Sequence, residues 1–164
     1  MAIGMALGVI LTLIIFWLLW DRIGITPRQI SLNERLSYAA KWCLVPGASL
    51  LLGIMMLANH RFFTRGIDRL SGSEDRTTQI WLRYIRNTLE QSVLFVIGIL
   101  AFAPITYQYW LKAIPILAVL FGTGRALFII GYFIKPTYRA AGFAMTFYPI
   151  IGLYGLCIYF YWLA

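Results

Sequence analysis

Charged residues are scarce in this sequence, and acidic ones are the scarcest. Only 12% of the 164 residues are charged, and Asp and Glu together number six, whereas soluble domains average about a quarter charged residues. This deficit excludes a water-soluble globular protein, and the apolar runs described below leave too little of the chain for a separate soluble domain. Apolar residues dominate instead, since 61% of the chain is hydrophobic and 16% is aromatic. The composition therefore predicts an integral membrane protein.

Residues that bind metals or form disulfides are also rare. His60 is the single histidine, and because no Cys, His or carboxylate stands at metal-ligand spacing from it, we expect no metal site. Cys43 and Cys157 lie in apolar runs, which predicts free thiols and no disulfide framework. Glu74 and Asp75 are expected to form a solvated turn. The sequence also lacks a phosphate-binding loop, a dinucleotide fingerprint and a Ser/His/Asp set.

Five apolar runs approach the roughly 20 residues that a helix needs to cross a bilayer. The predicted spans are 2–20, 38–58, 89–110, 113–133 and 141–162, with one long connector at 61–88. The first run lacks the basic start and the cleavage pattern of a secretory signal, so we expect it to be retained. Its Gly4 and Gly8 form a GxxxG pattern, which would permit another helix to approach closely.

The cations are divided unequally between the two ends of these spans. Nine are predicted at one end: Arg61, Arg65, Arg69, Arg76, Arg83, Arg86, Arg125, Lys135 and Arg139. Five are predicted at the other end: Arg22, Arg28, Arg35, Lys41 and Lys112. The positive-inside rule then places the N-terminus in the cytoplasm and the C-terminus outside, in the inner or plasma membrane if the source is bacterial. We expect the net charge of +8 to face membrane lipids and not nucleic acid.

Polar side chains enter the opening turns of the third span. On a helix, Asn87 and Glu90 both fall within about 40° of Arg83, so the three span about 60°, and Arg86 lies about 60° from Arg83. Ionisable groups at membrane depth cost roughly 2.5–3.5 kcal/mol each, and they normally face a bundle interior or a polar cavity. In the fourth span, Arg125 shares a face with the tyrosine seven residues later.

Two interpretations of these polar residues remain open. In the first, Arg83 and Arg86 are interfacial anchors, and Glu90 forms an ion pair with Arg125 between helices. In the second, the residues line a cationic pocket for a small ligand that carries two carboxylates and one ammonium group. Guanidinium groups would bind the carboxylates, and Glu90 would bind the ammonium. Such a pocket favours a net-anionic peptide or amino acid over a neutral lipid.

The pattern Arg83-x-x-x-Asn87-x-x-Glu90, with Arg125 and Tyr132 in the next span, resembles the MAPEG family, the membrane-associated proteins of eicosanoid and glutathione metabolism. The resemblance covers about 38–162. It implies a four-helix transmembrane domain at 38–164, which assembles as a homotrimer with glutathione between subunits on the cytoplasmic side. The extra helix and connector at 1–37 resemble the mattrin branch of the family. The expected fold is thus all-α, with five transmembrane helices.

The resemblance also implies roles for individual residues. Glutathione would be bound by Arg61 of a neighbouring subunit and by Arg83, Asn87, Glu90, Arg125 and Tyr132. We add Arg86 to these glutathione-binding residues because it lies beside the same polar face. Arg139 would be catalytic, because a guanidinium beside sulfur can lower the thiol pKa of glutathione from about 8.5 to about 6.5. The thiolate could then attack a lipophilic electrophile or reduce a peroxide.

Three residues depart from the family pattern. Gln91 stands where many members have a tyrosine, Phe128 replaces a tyrosine or histidine that often faces the ligand, and Pro136 interrupts the helix between Tyr132 and Arg139. The sequence therefore leaves catalysis open. The alternative is a non-catalytic MAPEG-like protein that binds lipid or acts as a regulatory membrane scaffold.

Overall fold

The computed structural model describes residues 2–24, 30–64 and 75–163. Its α-helices are α1 (Ala2–Trp20), α2 (Leu32–Trp42), α3 (Leu44–Phe63), α4 (Arg76–Ile105), α5 (Ala113–Ile134) and α6 (Arg139–Leu163). A 3-10 helix at Gln108–Lys112 leads directly into α5. Within the described ranges, five helical segments are long and apolar enough to span a membrane. The predicted all-α fold with five such helices is confirmed.

Some residues used in the sequence predictions lie outside these ranges. They are Arg28, Arg65, Arg69 and Glu74. The predicted division of the chain at 37/38 falls within α2.

The third span begins well before its predicted start at residue 89. Helix α4 starts at Arg76, inside the segment that we expected to be a connector, and it ends at Ile105 and not at residue 110. Asp75 fixes the start, because its carboxylate accepts a hydrogen bond from the Thr78 backbone N–H at 2.8 Å. Pro104 lies in the last turn of α4, so the helix runs without a break from Arg76 to that turn. The polar residues of the third span therefore belong to one long helix.

The second span is also longer than the predicted segment 38–58. A single helical segment, Leu32–Phe63, contains both α2 and α3, which meet at Cys43. Its start is fixed by a capping box: the Ser31 hydroxyl accepts from the Glu34 N–H at 3.4 Å, and the Glu34 carboxylate accepts from the Ser31 N–H at 2.8 Å. Apolarity alone could not show this start, because the first turns of α2 are polar.

Helix α1 packs closely against the first turns of α6 through its two glycines. A Cβ atom built on Gly8 would overlap the Ala141 carbonyl oxygen and would lie 2.7 Å from the Ala144 Cβ. A Cβ atom built on Gly4 would lie 3.2 Å from the Ala140 Cβ. The sequence only permitted a close helix contact at this GxxxG pattern, and the structure shows that α1 makes one there.

The other end of α1 is attached to the start of α5. The Trp20 indole N–H donates a hydrogen bond to the Tyr109 hydroxyl at 3.1 Å. The Lys112 ammonium lies 4.0 Å from the centre of the Trp20 ring and 4.0 Å from that of Tyr109. Helix α1 therefore runs from the end of the bundle that contains Arg139, here called the Arg139 end, to the opposite Lys112 end.

The main core lies between α4, α5 and α6. Phe95 and Ile99 of α4 pack with Phe121 of α5 and Leu153 of α6, and all four side chains are almost fully buried. Helices α5 and α6 approach each other closely at Gly142, where an added Cβ would overlap the Phe128 backbone. This tight packing fixes the positions of the polar residues on α4 and α5 relative to the start of α6.

Candidate functional site

A cavity of about 400 Å³ is formed at the Arg139 end of the bundle by α1, α4, α5 and α6. Its lining residues are Met5, Asn87, Phe128, Pro136, Thr137, Arg139, Ala140 and Phe143. This volume lies in the range of about 300–1,000 Å³ that is usual for small-molecule sites. The walls are mostly apolar, and the longest polar side chains among them are those of Asn87 and Arg139. Both were predicted site residues, and the structure brings them together in one cavity.

Arg125 lies behind Asn87 and positions it. The Arg125 side chain is 1% exposed, and one of its guanidinium N–H groups donates to the Asn87 side-chain oxygen at 2.8 Å. A second N–H group donates to the Thr146 hydroxyl on α6. Because the Asn87 oxygen accepts from Arg125, the Asn87 amide nitrogen is oriented as a hydrogen-bond donor for another partner.

The environment of Arg125 contradicts the first of the two interpretations above, in which Glu90 forms an ion pair with Arg125. Its hydrogen-bond acceptors are an amide and a hydroxyl, and among the described residues no carboxylate forms a salt bridge with it. Aromatic rings supply the remaining contacts, since the guanidinium carbon lies 5.0 Å from the Phe128 ring centre and 5.5 Å from that of Phe121. Polar and π contacts thus replace a counter-ion here.

Three predicted residues from three helices meet at Tyr132. The Arg83 guanidinium on α4 donates to the Tyr132 hydroxyl on α5 at 2.7 Å. The guanidinium carbon of Arg139, at the start of α6, lies 4.8 Å from the centre of the same ring. Tyr132 is buried and Arg139 is half-buried. This stack holds the Arg139 side chain beside the cavity.

The remaining predicted residues lie elsewhere. Arg86 and Glu90 form an ion pair along α4 at 3.4 Å, with 85% and 57% of their side chains exposed, so neither is drawn into the cavity wall. Arg61 is half-buried in the last turn of α3. Whether these three residues contact a ligand through a neighbouring subunit stays a prediction.

Sequence reasoning missed several residues of this site. Thr146 was not identified, although it holds Arg125. Pro136 was treated only as an interruption and Thr137 was not identified, whereas both line the cavity just before α6 begins at Arg139. A proline shortly before a new apolar run is a signal for a helix start. The cavity therefore lies at the N-terminal end of α6, where the helix dipole favours an anion.

His60 and Asp75 connect the end of α3 to the start of α4 at the same end of the bundle. The His60 Nε2 atom and the Asp75 carboxylate are 2.9 Å apart. Hydrogen bonds from the Thr78 side chain and backbone N–H, together with His60, lower the pKa of Asp75 from 3.8 to about 2. Asp75 therefore acts as the N-cap of α4.

This shift predicts how the start of α4 responds to acid. A depressed carboxylate pKa stabilises the folded state above pH 3.8, and this contribution disappears as the pH falls through about 2. We expect the amide protons of the first turn of α4, including that of Thr78, to lose protection from hydrogen exchange over this interval. In Asp75→Asn, protection of this turn should no longer change between these pH values, and a change equal to that of the wild type would contradict this role.

Comparison with known proteins places the chain in a family. The family model that matches is that of the MAPEG family, over residues 39–159. Transmembrane protein 79 of Bos taurus is 22% identical over 127 residues, and that of Mus musculus is 20% identical over 127 residues. Each alignment covers 77% of this chain and 32% of the relative, so the chain spans about a third of the length of these relatives. No solved structure matches. Because the family match covers most of the chain, the protein belongs to the MAPEG family, as its polar spacing predicted.

Proposed function

We propose that this MAPEG family membrane protein binds glutathione in the cavity at the Arg139 end. One observation carries the proposal: Asn87 and Arg139, which the family resemblance implies as ligand-binding and catalytic residues, line the same small-molecule-sized cavity. Glutathione has two carboxylates and one ammonium group. A cationic site with a fixed amide donor suits such a net-anionic ligand.

The residues around the cavity fit separate parts of this ligand. Asn87, held by Arg125, can donate its amide N–H to a carboxylate. Arg139 and the N-terminal end of α6 supply positive charge for a carboxylate or for the sulfur. Phe128 and Phe143 provide apolar surface in the same cavity. The described residues therefore combine positive charge that can bind the tripeptide with an apolar surface that can contact a lipophilic compound.

Catalysis is proposed as a further step at this site. Glutathione would supply a thiol, and a guanidinium beside the sulfur would lower its pKa so that the thiolate is present at neutral pH. Arg139 is the candidate for this role, because it is half-buried beside Tyr132 and lines the cavity. In transfer, the thiolate would form an S–C bond either by adding to an activated double bond, whose other carbon takes up a proton, or by displacing a leaving group. In peroxidase chemistry, two glutathione thiols would be oxidised to a disulfide while a lipophilic hydroperoxide is reduced to an alcohol and water.

A second candidate is a non-catalytic membrane scaffold that binds lipid or regulates a partner. The observation that favours it is the engagement of two predicted ligand-binding arginines within the chain. Arg83 already donates to Tyr132, and Arg125 already donates to Asn87 and Thr146. In this case the polar residues would serve only to hold α4, α5 and α6 in their relative positions. Measurable glutathione affinity separates the two candidates.

Calorimetric titration with glutathione tests the binding proposal. We expect Asn87→Ala to weaken glutathione affinity about 10-fold or more, since a hydrogen bond to a charged group is worth about 1.5–3 kcal/mol. Gln79→Ala is the matched control, because it removes an exposed amide from the same helix outside the cavity. Equal glutathione affinity for Asn87→Ala and the wild type would contradict the proposal.

We also propose a homotrimer in which the Arg139 end faces the cytoplasm. The exposed pair of Arg86 and Glu90 on α4 leaves charged groups for a neighbouring subunit or ligand. More of the described cations lie at the Arg139 end than at the Lys112 end, which supports placing the Arg139 end on the cytoplasmic side. Mass measurement in detergent would test the assembly, and a monomer would remove the predicted contribution of Arg61 from a neighbour.

A further inference from the structure

The extra helix α1 forms one wall of the cavity, and it does so through Met5. Met5 lines the cavity together with Asn87 and Arg139, although it is separated from them by most of the chain. We infer that Met5 selects ligands by the size of their apolar part. This inference rests on the proposed glutathione site and assigns α1 a direct role in its selectivity.

The position of Met5 is fixed by its neighbours on α1. Gly4 precedes it and packs against Ala140, which itself lines the cavity. Gly8, almost one turn later, fits against Ala141 and Ala144 with no room for a side chain. The contact between α1 and α6 therefore lies directly beside the cavity, and it holds Met5 over its edge.

The other end of α1 restricts sliding of the helix. Trp20 is hydrogen-bonded to Tyr109 and carries the Lys112 ammonium over its ring. Because these contacts join α1 to the start of α5, α1 is attached at both ends of the bundle. A shift of Met5 along the cavity would have to break contacts at both ends.

The chemistry of the cavity separates a polar part from an apolar part. Asn87 and Arg139 provide hydrogen-bond donors and positive charge, whereas Met5, Phe128 and Phe143 provide apolar surface. A thioether side chain is flexible and polarisable, so it adapts to apolar groups of different shapes. The peptide part of a ligand would then contact Asn87 and Arg139, and a substituent on its sulfur would contact Met5.

Two S-substituted glutathiones test this role: S-methylglutathione and S-hexylglutathione. In the wild-type protein we expect tighter binding of the hexyl compound. Met5→Ala should reduce this preference about tenfold, because several buried CH₂-sized contacts are lost. Leu7→Ala is the matched control, since Leu7 is a large apolar residue on the same helix, 51% exposed and outside the cavity lining. An unchanged preference in Met5→Ala overturns the inference.

A crosslink separates failure of this inference from failure of the glutathione proposal. In a Cys43→Ser, Cys157→Ser background, Gly4→Cys and Ala140→Cys should form a disulfide on oxidation. Their Cβ positions are 3.2 Å apart, and an outward shift of a few tenths of an ångström brings them into the range of about 3.5–4.5 Å that is usual for disulfides. Leu7→Cys with Ala140→Cys should not. Absence of the first crosslink overturns the inference even if glutathione binds. A crosslink without binding of either compound overturns the glutathione proposal and, with it, the selectivity of Met5.

Discussion

Replacing Arg139 by leucine is expected to abolish the thiolate absorbance of bound glutathione at neutral pH. Arg139 is the cation that lines the cavity, and its guanidinium is held against the Tyr132 ring. Without it, the thiol pKa should return from about 6.5 to about 8.5, which lowers the thiolate fraction at pH 7 about 25-fold. Ultraviolet difference spectra of the glutathione complex, recorded across a pH titration, measure this change.

Two further variants make this measurement specific. Arg139→Lys keeps the charge but loses the planar guanidinium, so we expect partial recovery of the thiolate signal. Lys135→Leu removes an exposed cation from the neighbouring turn, outside the cavity lining, and should leave the titration unchanged. Identical titration curves for the wild type and Arg139→Leu would contradict a catalytic role for Arg139 and would favour the non-catalytic scaffold.

Replacing Gly142 by leucine is expected to prevent the native packing of α5 against α6. A Cβ atom at this position would overlap the Phe128 N and the Gly124 carbonyl oxygen, and it would lie 2.7 Å from the Phe128 Cα. All three are backbone atoms, so a rotamer change cannot relieve the overlap. The two helices would have to separate, and we expect a loss of at least about 3 kcal/mol in the free energy of unfolding.

Thermal unfolding in detergent, followed by near-ultraviolet circular dichroism, measures this loss. Gly152→Leu is the control on the same helix, because a Cβ atom at Gly152 meets no atom within 4 Å. We expect this control to unfold at the wild-type temperature. A Gly142→Leu protein with wild-type stability would show that the contact between α5 and α6 is not as close as described.

Apolar run length predicted the membrane-spanning helices but not all of their ends. Helix α1 was predicted at its observed limits, because both ends of the apolar run coincide with the ends of the helix. Helix α4 was predicted to start too late, since its first turns are polar and its start depends on the Asp75 cap. Helices extend beyond the apolar layer where caps and amphipathic packing stabilise them, so hydropathy underestimates their length.

Helical angles located the polar face, but they did not determine the partners of each side chain. Asn87 and Arg125 were both identified from their spacing, and they do contact each other. Glu90 shares the predicted face, yet its carboxylate pairs with Arg86 one turn away along the same helix. A long side chain can reach several neighbours from one Cα position, so the angle of that position alone does not fix its partner.

Contacts between distant segments were the least accessible to sequence reasoning. Thr146 carries no recognisable motif, and its role follows only from the packing of α6 beside Arg125. Met5 is an ordinary residue of an apolar helix until α1 is placed against Ala140. The glycines at positions 4 and 8 signalled that α1 would meet another helix, but they did not identify α6 as the partner.

A density map at side-chain resolution, recorded with saturating glutathione, tests the central claim most directly. We predict density for one tripeptide in the cavity at the Arg139 end, in contact with Asn87 and with its sulfur beside the Arg139 guanidinium. Helix α1 should remain packed on α6, with Met5 at the cavity wall. A map in which this cavity is empty at saturating glutathione, or in which the tripeptide lies elsewhere, would contradict the account.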